Sequence, residues 1–214
     1  MIKAIIFDFD GVLVESLDIK TVAFARLFET EGEDVVQQVV AYHRAHGGVS
    51  RHEKFRYYYR ELLKRELTDE RFQELCSCFS ELVLQGVVAS PYVPGAREFL
   101  EAHAQELPCF VTSATPEPEL REIIRIRGME QYFKRVYGAP KTKADAVAEI
   151  LIQEGIASAD ILYVGDALAD YDAAMANGIH FVARCSPDSH VFDNIECRKI
   201  LDLTILHRIV GEMV

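Results

Sequence analysis

Two aspartates one residue apart, Asp8 and Asp10, follow the apolar run from Ile2 to Phe7 and are closed off by Gly11. In a chain with 34 acidic residues an acid-x-acid pair is common, and on an exposed turn it is only a solvated bend. At the end of a buried strand, however, two carboxylates repel each other and lose hydration unless a cation neutralises them, and hard oxygen ligands suit Mg2+. A third acid, Asp166, follows Ile161 to Val164 and Gly165 in the same way, with Asp170 four residues on. Taken alone, Asp166 reads equally as a helix N-cap. Hydroxyls follow a third apolar run, in Thr112-Ser113-Ala114-Thr115, and two lysines stand in Pro140-Lys141-Thr142-Lys143. Acids and hydroxyls that follow three apolar runs could converge on one crevice.

The elements that must position these residues are legible from periodicity and breakers. Ile2 to Phe7 reads as a buried strand ending in a turn. From about Ser16 to Ala89 the pattern is helical, with Phe72, Leu75, Cys76, Phe79, Leu82 and Val83 spaced three and four apart. Pro91 and Pro94-Gly95 end that segment. Strands at Cys109 to Thr112, Val136-Tyr137, Ile161 to Val164 and Phe181-Val182 then alternate with helical stretches, the first after Pro116. Such alternation predicts a doubly wound α/β domain with a parallel sheet, formed by residues 1–15 and 91–214, with residues 16–90 as a helical cap inserted after the first strand. Ligands of such sheets sit beyond the carboxyl ends of the strands, where Asp8, Asp10, Ser113 and Asp166 fall.

The run Asp8-Phe9-Asp10-Gly11-Val12-Leu13 resembles the opening motif of the haloacid dehalogenase superfamily of phosphohydrolases, and the likeness spans the chain. An apolar strand ending in DxDG, a strand ending in Ser or Thr, a lysine, and a strand ending in GD with an acid downstream occur here in that order. The resemblance implies a Rossmann-like core with a helical cap and a Mg2+-dependent phosphatase acting on a small phosphorylated metabolite. It implies Asp8 as nucleophile, Asp10 as acid and base, and Ser113 with a lysine holding the nonbridging oxygens beside Thr112 and Ala114. Asp8, Asp10 and Asp166 would hold Mg2+, and Asp170 would fix the lysine or a metal-bound water. Lys143, followed by Ala144-Asp145 and an apolar helix, resembles the phosphoserine phosphatase branch, whereas Lys141 resembles the mutase branch without its proline-rich continuation. Lys143 is the favoured choice and Lys141 the alternative.

Within the cap, Gly48-Val49-Ser50-Arg51 resembles the loop of β-phosphoglucomutase whose arginine grips a second anionic group, although Ser50 also reads as an N-cap and Arg51 as a surface residue. Lys20, near the first hinge, is a second candidate for an anionic substrate, in a place where the mutase pattern has histidine. The loop makes a phosphomutase acting on a sugar phosphate the closest rival to a phosphatase. A haloacid dehalogenase proper is disfavoured by Asp10 and Asp166, and a binding module by the suitable residue at every catalytic position. His43, His46 and His52 lack the acid or cysteine that would make a transition-metal set. Tyr57-Tyr58-Tyr59 reads as cap packing, and Thr115-Pro116 as an N-cap and first helical residue.

Composition sets the outer limits. The 214 residues are 50% hydrophobic and carry a net charge of −11, which suits one large globular unit and disfavours nucleic acid and anionic membrane surfaces. The N-terminal run is too short for a signal peptide and no stretch suits a membrane span, so the cytoplasm is the expected compartment. Five cysteines, with no CxxC pair, read as reduced fillers. A monomer and a homodimer are equally compatible with the composition.

Overall fold

The computed structural model describes residues 1–187 and 189–213. Its elements in chain order are β1 (Ala4–Phe7), α1 (Leu17–Leu27), α2 (Glu33–Ala45), α3 (Arg51–Tyr57), α4 (Asp69–Ala89), α5 (Ala96–His103), β2 (Cys109–Pro116), α6 (Glu117–Ile126), β3 (Arg135–Ala139), α7 (Lys143–Glu154), β4 (Ile161–Gly165), α8 (Leu168–Ala176), β5 (His180–Arg184), β6 (Arg198–Ile200) and α9 (Leu206–Glu212). A turn and a half of π-helix, Tyr58–Leu63, continues α3.

Among the described residues the strands form one parallel sheet in the order β3-β2-β1-β4-β5-β6. Every residue of β1 and of β4 is buried, because helices cover both faces of a parallel sheet and such strands read as continuous apolar runs. The chain steps outward from β1 to β3 and then returns to β4 on the opposite side, so the order reverses between β1 and β4. Crevices in open parallel sheets form at that reversal. Register aligns three strands at that point. Phe7 is level with Val111 of β2 and with Val164 of β4, so Asp8, Thr112 and Gly165 stand at one height across the three strands, with Ser113 and Asp166 a residue beyond.

Helices α1 to α4 lie between β1 and α5 in sequence and bury their own apolar faces. In α4, Leu75, Phe79, Val83 and Val87 recur every four residues and are buried, and Phe24, Phe28, Phe55, Tyr58 and Phe79 form an aromatic cluster with ring centroids 4.5–6.3 Å apart. The chain leaves the sheet and returns to it along neighbouring paths: Glu15 N donates to Pro91 O at 3.0 Å and Val93 N to Leu13 O at 3.1 Å. Two buried or half-buried arginines fix this passage. Arg184 of β5 donates to Gly11 O and pairs with Glu15, while Arg127, after α6, donates to the carbonyls of Val87, Val88 and Ser90 at the C-terminus of α4, where unpaired carbonyls attract positive charge.

Two local expectations differ from the structure, and one strand has no counterpart among them. β2 is longer than its apolar run, extending through Ser113 to Pro116 with a register shift after Thr112. Helix α6 accordingly starts at Glu117 with Pro118 in its first turn, and neither Thr115 nor Pro116 caps it through a side chain. β6, the three residues Arg-Lys-Ile at the sheet edge, carries no apolar pattern because two of them face solvent.

Candidate active site

The crevice is lined by Asp8, Asp10, Ser113, Ala114, Thr115 and Asp166 from the sheet side and by residues of the helical segment, including Lys20, His43, Gly48, Arg51 and Lys54. Asp8 is buried at the tip of β1, its N–H bound to Val164 O at 3.0 Å and its Oδ1 accepting from Phe9 N at 2.7 Å. Lys143 stands at the first position of α7, whose N-cap Thr142 accepts from Asp145 N. From there its buried Nζ lies 2.9 Å from Asp8 and 2.5 Å from Asp170. Lys141 points elsewhere, pairing with Glu149 and lying over the ring of Tyr137. The geometry thus separates the two lysines: Lys143 reaches Asp8, which lines the crevice, and Lys141 does not.

Asp170 is fully buried and accepts three hydrogen bonds. Its Oδ1 accepts from Lys143 and from the Tyr163 hydroxyl at 2.7 Å, and its Oδ2 accepts from Ala167 N at 3.0 Å. Although carboxylate oxygens of Asp8, Asp166 and Asp170 lie within 4.8 Å of one another, these bonds leave Asp170 to hold Lys143 and the loop after β4 instead of acting as a free ligand. The N-cap of α8 is Ala167, so Asp166 is not capping that helix. It packs against Gly11, whose left-handed φ of 79° puts the backbone so close that a β-carbon there would lie 2.3 Å from Asp166 Oδ2.

Electrostatics divides the acids. Burial raises Asp8 to about 7; Lys143 opposes that shift and the charges of Asp170 and Asp10 reinforce it. Asp166 is held well above the carboxylate range by burial and by Asp8 and Asp170. Two carboxylates so shifted mark a surplus of buried negative charge, and an oxygen donor set of this kind fits a hard divalent cation held by Asp8, Asp166 and a nearby backbone carbonyl such as that of Asp10. Asp10 behaves oppositely. Burial alone would raise it, but the Lys20 ammonium and hydrogen bonds from Lys20 and Ser16 hold its carboxyl below the ordinary range. Ser113 and Thr115 hydroxyls also face Asp10 Oδ2, at 3.4 and 3.3 Å.

The helical segment contributes by close approach. Gly48, with φ of 76°, lies so near the sheet side that a β-carbon would stand 3.0 Å from Ala169 Cβ and 3.4 Å from Lys143 Nζ. Ser50 caps α3 by accepting from Glu53 N at 3.3 Å, and Arg51 is buried, contrary to its reading as a surface residue. Its guanidinium forms a two-pronged pair with Glu119 of α6 at 2.5 and 2.9 Å, with Ser80 bound to both. Arg51 therefore already has a counterion, and the expectation that it grips a second anionic group meets an acid in place.

Other expected residues scatter. Thr112 does not line the crevice: its hydroxyl bonds Tyr163 at 2.6 Å in the core. The three histidines do not converge, for His43 faces Lys54, His46 bonds Tyr42 O, and His52 lies beside Phe72. Tyr58 and Tyr59 are buried, and Tyr57 stacks on Tyr42. Sequence reasoning missed Tyr163, Thr115, Glu119 and Lys54. Tyr163 carried a usable signal, since a tyrosine inside a fully buried strand needs a partner for its hydroxyl.

No helix among the described residues is long and apolar enough to cross a membrane. The family model of haloacid dehalogenase-like hydrolases matches residues 5–184. No curated protein matches the sequence. Among solved structures, a predicted phosphoglycolate phosphatase from Haemophilus somnus is similar with a TM-score of 0.76 at 21% identity, covering 97% of each chain. CbbY from Rhodobacter sphaeroides, in complex with phosphate, gives 0.73 at 18% over 96% of each chain. YfnB from Bacillus subtilis, bound to magnesium, gives 0.74 at 17% over 98% of this chain and 99% of its own. With the DxDG strand, the buried Lys143 and the Asp166–Asp170 loop in register, and a family match over most of its length, the chain belongs to the haloacid dehalogenase-like hydrolases.

Proposed function

We propose that this protein is a Mg2+-dependent phosphatase that hydrolyses a small phosphate monoester through an aspartyl-phosphate on Asp8, with residues 16–90 acting as a cap domain over residues 1–15 and 91–214. The observation that carries the reading is Lys143, fixed between Asp8 and Asp170 where Asp8, Thr112 and Gly165 stand level on three neighbouring strands. Asp8 attacks phosphorus, forming an Oδ–P bond as the bond to the ester oxygen breaks, and Asp10 donates a proton to the departing alkoxide. Water then attacks the acyl phosphate while Asp10 takes its proton, releasing phosphate and restoring the Asp8 carboxylate and the protonated Asp10.

Asp10 is ionised in the arrangement seen, with Lys20, Ser113 and Thr115 all directed at it. A phosphoryl group in the crevice competes for those same donors, and their transfer to its oxygens leaves Asp10 free to carry a proton. Ser113, the N–H of Ala114 and Lys143 thereby hold nonbridging oxygens, while Thr112 positions Tyr163 from behind. A Mg2+ held by Asp8, Asp166 and the Asp10 carbonyl would supply the charge that lets Asp8 stay ionised and screens the phosphoryl oxygens. Arg51, clasped to Glu119, holds the cap against α6 and keeps water out of the crevice. Unpaired cysteine thiols agree with a reducing compartment such as the cytoplasm.

Phosphate release from p-nitrophenyl phosphate and a panel of phosphorylated metabolites, with and without Mg2+, tests the reading. Turnover is expected only with Mg2+ and only with Asp8 intact. Undiminished turnover by Asp8→Asn contradicts it, and isomerised sugar phosphate without phosphate release replaces it with a phosphomutase.

A further inference from the structure

Three cations of the helical segment line the crevice, Lys20, Arg51 and Lys54. Lys20 is matched by Asp10 and Arg51 by Glu119. Lys54, one turn beyond Arg51 on α3, is not: among the described residues no carboxylate lies within ion-pair distance of its Nζ. That atom sits 2.8 Å from Nδ1 of His43 on α2 and 5.6 Å from the centre of the Phe24 ring. An ammonium only donates, so the imidazole must accept through Nδ1 and stay neutral. Burial, with the charges of Lys54, Lys20 and Arg44, pushes His43 down to about 3 and keeps it in that form.

A lysine that is 2% exposed and lacks a counterion is costly to the fold, and packing gives no reason to keep it, since an apolar side chain would sit beside Phe24 without the penalty. Burial, with Lys20 and Lys143 nearby, pulls its ammonium down to about 7, so an arriving anion would restore the charge that the empty crevice disfavours. On the phosphatase reading phosphate has other donors, Ser113 and Ala114 on the sheet side and Lys143 beside Asp8. The room between the walls is small, about 50 Å³ open to the centre of a water molecule, enough for a few waters and a short molecule.

We propose that Lys54, held in place by His43, recognises a second anionic group on the leaving alcohol, so that the substrate is a short phosphate monoester with an acid at its other end. This rests on the phosphatase reading of the Asp8 site. The acid is a carboxylate or a second phosphate, both of which an ammonium binds, and the narrow crevice suits the carboxylate better.

Binding of three phosphonates that cannot be hydrolysed, measured by calorimetry on the full chain with Mg2+, tests the proposal. Phosphonoacetate carries a carboxylate, methylenediphosphonate a second phosphonate, and ethylphosphonate neither. The natural protein should bind one of the two acid-bearing compounds at least tenfold more tightly than ethylphosphonate, and which one identifies the acid. Lys54→Met and Lys54→Gln, the second retaining a hydrogen-bonding amide, should each reduce that preference by tenfold or more, with thermal unfolding showing either variant folded. Equal binding of all three by the natural protein, or a preference retained in the variants, overturns the role of Lys54 and leaves the phosphatase reading intact. No binding of any of them, together with no phosphate release from any ester, overturns both.

Discussion

Lys143 and Asp170 meet at 2.5 Å behind Asp8, the aspartate wholly buried and the lysine nearly so. Burial disfavours the ammonium, yet Asp170 and Asp8 raise its pKa well above the ordinary lysine value. Removing Asp170 takes away one of the two carboxylates that face the Lys143 ammonium and leaves Asp8, at 2.9 Å, as its counterion, so the cost is that of a lost charge-assisted hydrogen bond, roughly 1–3 kcal/mol. Asp170→Asn should therefore lower the unfolding free energy by about that amount in urea, and phosphate release should fall by about 100-fold as Lys143 loses its aim. Unchanged stability would mean that the pair is not ionised as described.

Tyr163 joins Asp170 to Thr112 through one hydroxyl, at 2.7 and 2.6 Å. Tyr163→Phe keeps the ring and deletes both bonds, at an expected cost of about 1–3 kcal/mol. Turnover should fall by about tenfold with KM little changed, since the hydroxyl positions Asp170 and touches no substrate. Steady-state kinetics on the folded variant checks this.

The Arg51–Glu119 pair joins the helical segment to α6, with Ser80 bridging. Glu119→Gln should raise KM by roughly tenfold while kcat moves less, because the loss falls on closure. A double-mutant cycle with Arg51→Met should give a coupling of about 1–3 kcal/mol. Additive effects would remove the clasp from the account.

His43 makes stability depend on acid. Its pKa of about 3 in the folded chain lies below the ordinary 6.5, so between these values the unfolded chain binds the extra proton. The stabilisation is complete above pH 6.5 and is lost as pH falls toward 3. At pH 5 the penalty is about 2 kcal/mol. Comparing urea unfolding at pH 7.5 and pH 5 for the natural protein and His43→Gln should show the variant losing about that much less on acidification.

How much of this was legible beforehand follows from the physics of each signal. The buried strands declared themselves by continuous apolar runs, and the acids at their ends stood out because charge rarely follows such runs by accident. Lys143 and Lys141 could not be separated by spacing alone, since the choice depends on which one the first turn of α7 aims at Asp8. Arg51 was visible, but its counterion Glu119, 68 positions away, was not, because pairing across two segments leaves no periodic trace. Lys54 was invisible for a similar reason: on an amphipathic helix a lysine reads as solvated, and only the packing of α3 against α2 and the crevice buries it. β6 and the extension of β2 beyond Thr112 escaped because pairing to a neighbouring strand, not residue type, makes those segments extended.

The central claim is that phosphoryl transfer passes through Asp8. An acyl phosphate is reduced by borohydride, which converts a phosphorylated aspartate to homoserine, so the protein can be quenched during turnover of p-nitrophenyl phosphate with Mg2+, reduced, and mapped by peptide mass spectrometry. The account predicts conversion at residue 8, absent without substrate and absent in Asp8→Asn. Sustained phosphate release with residue 8 unmodified, or with the mark on Ser113 or another side chain, would contradict it.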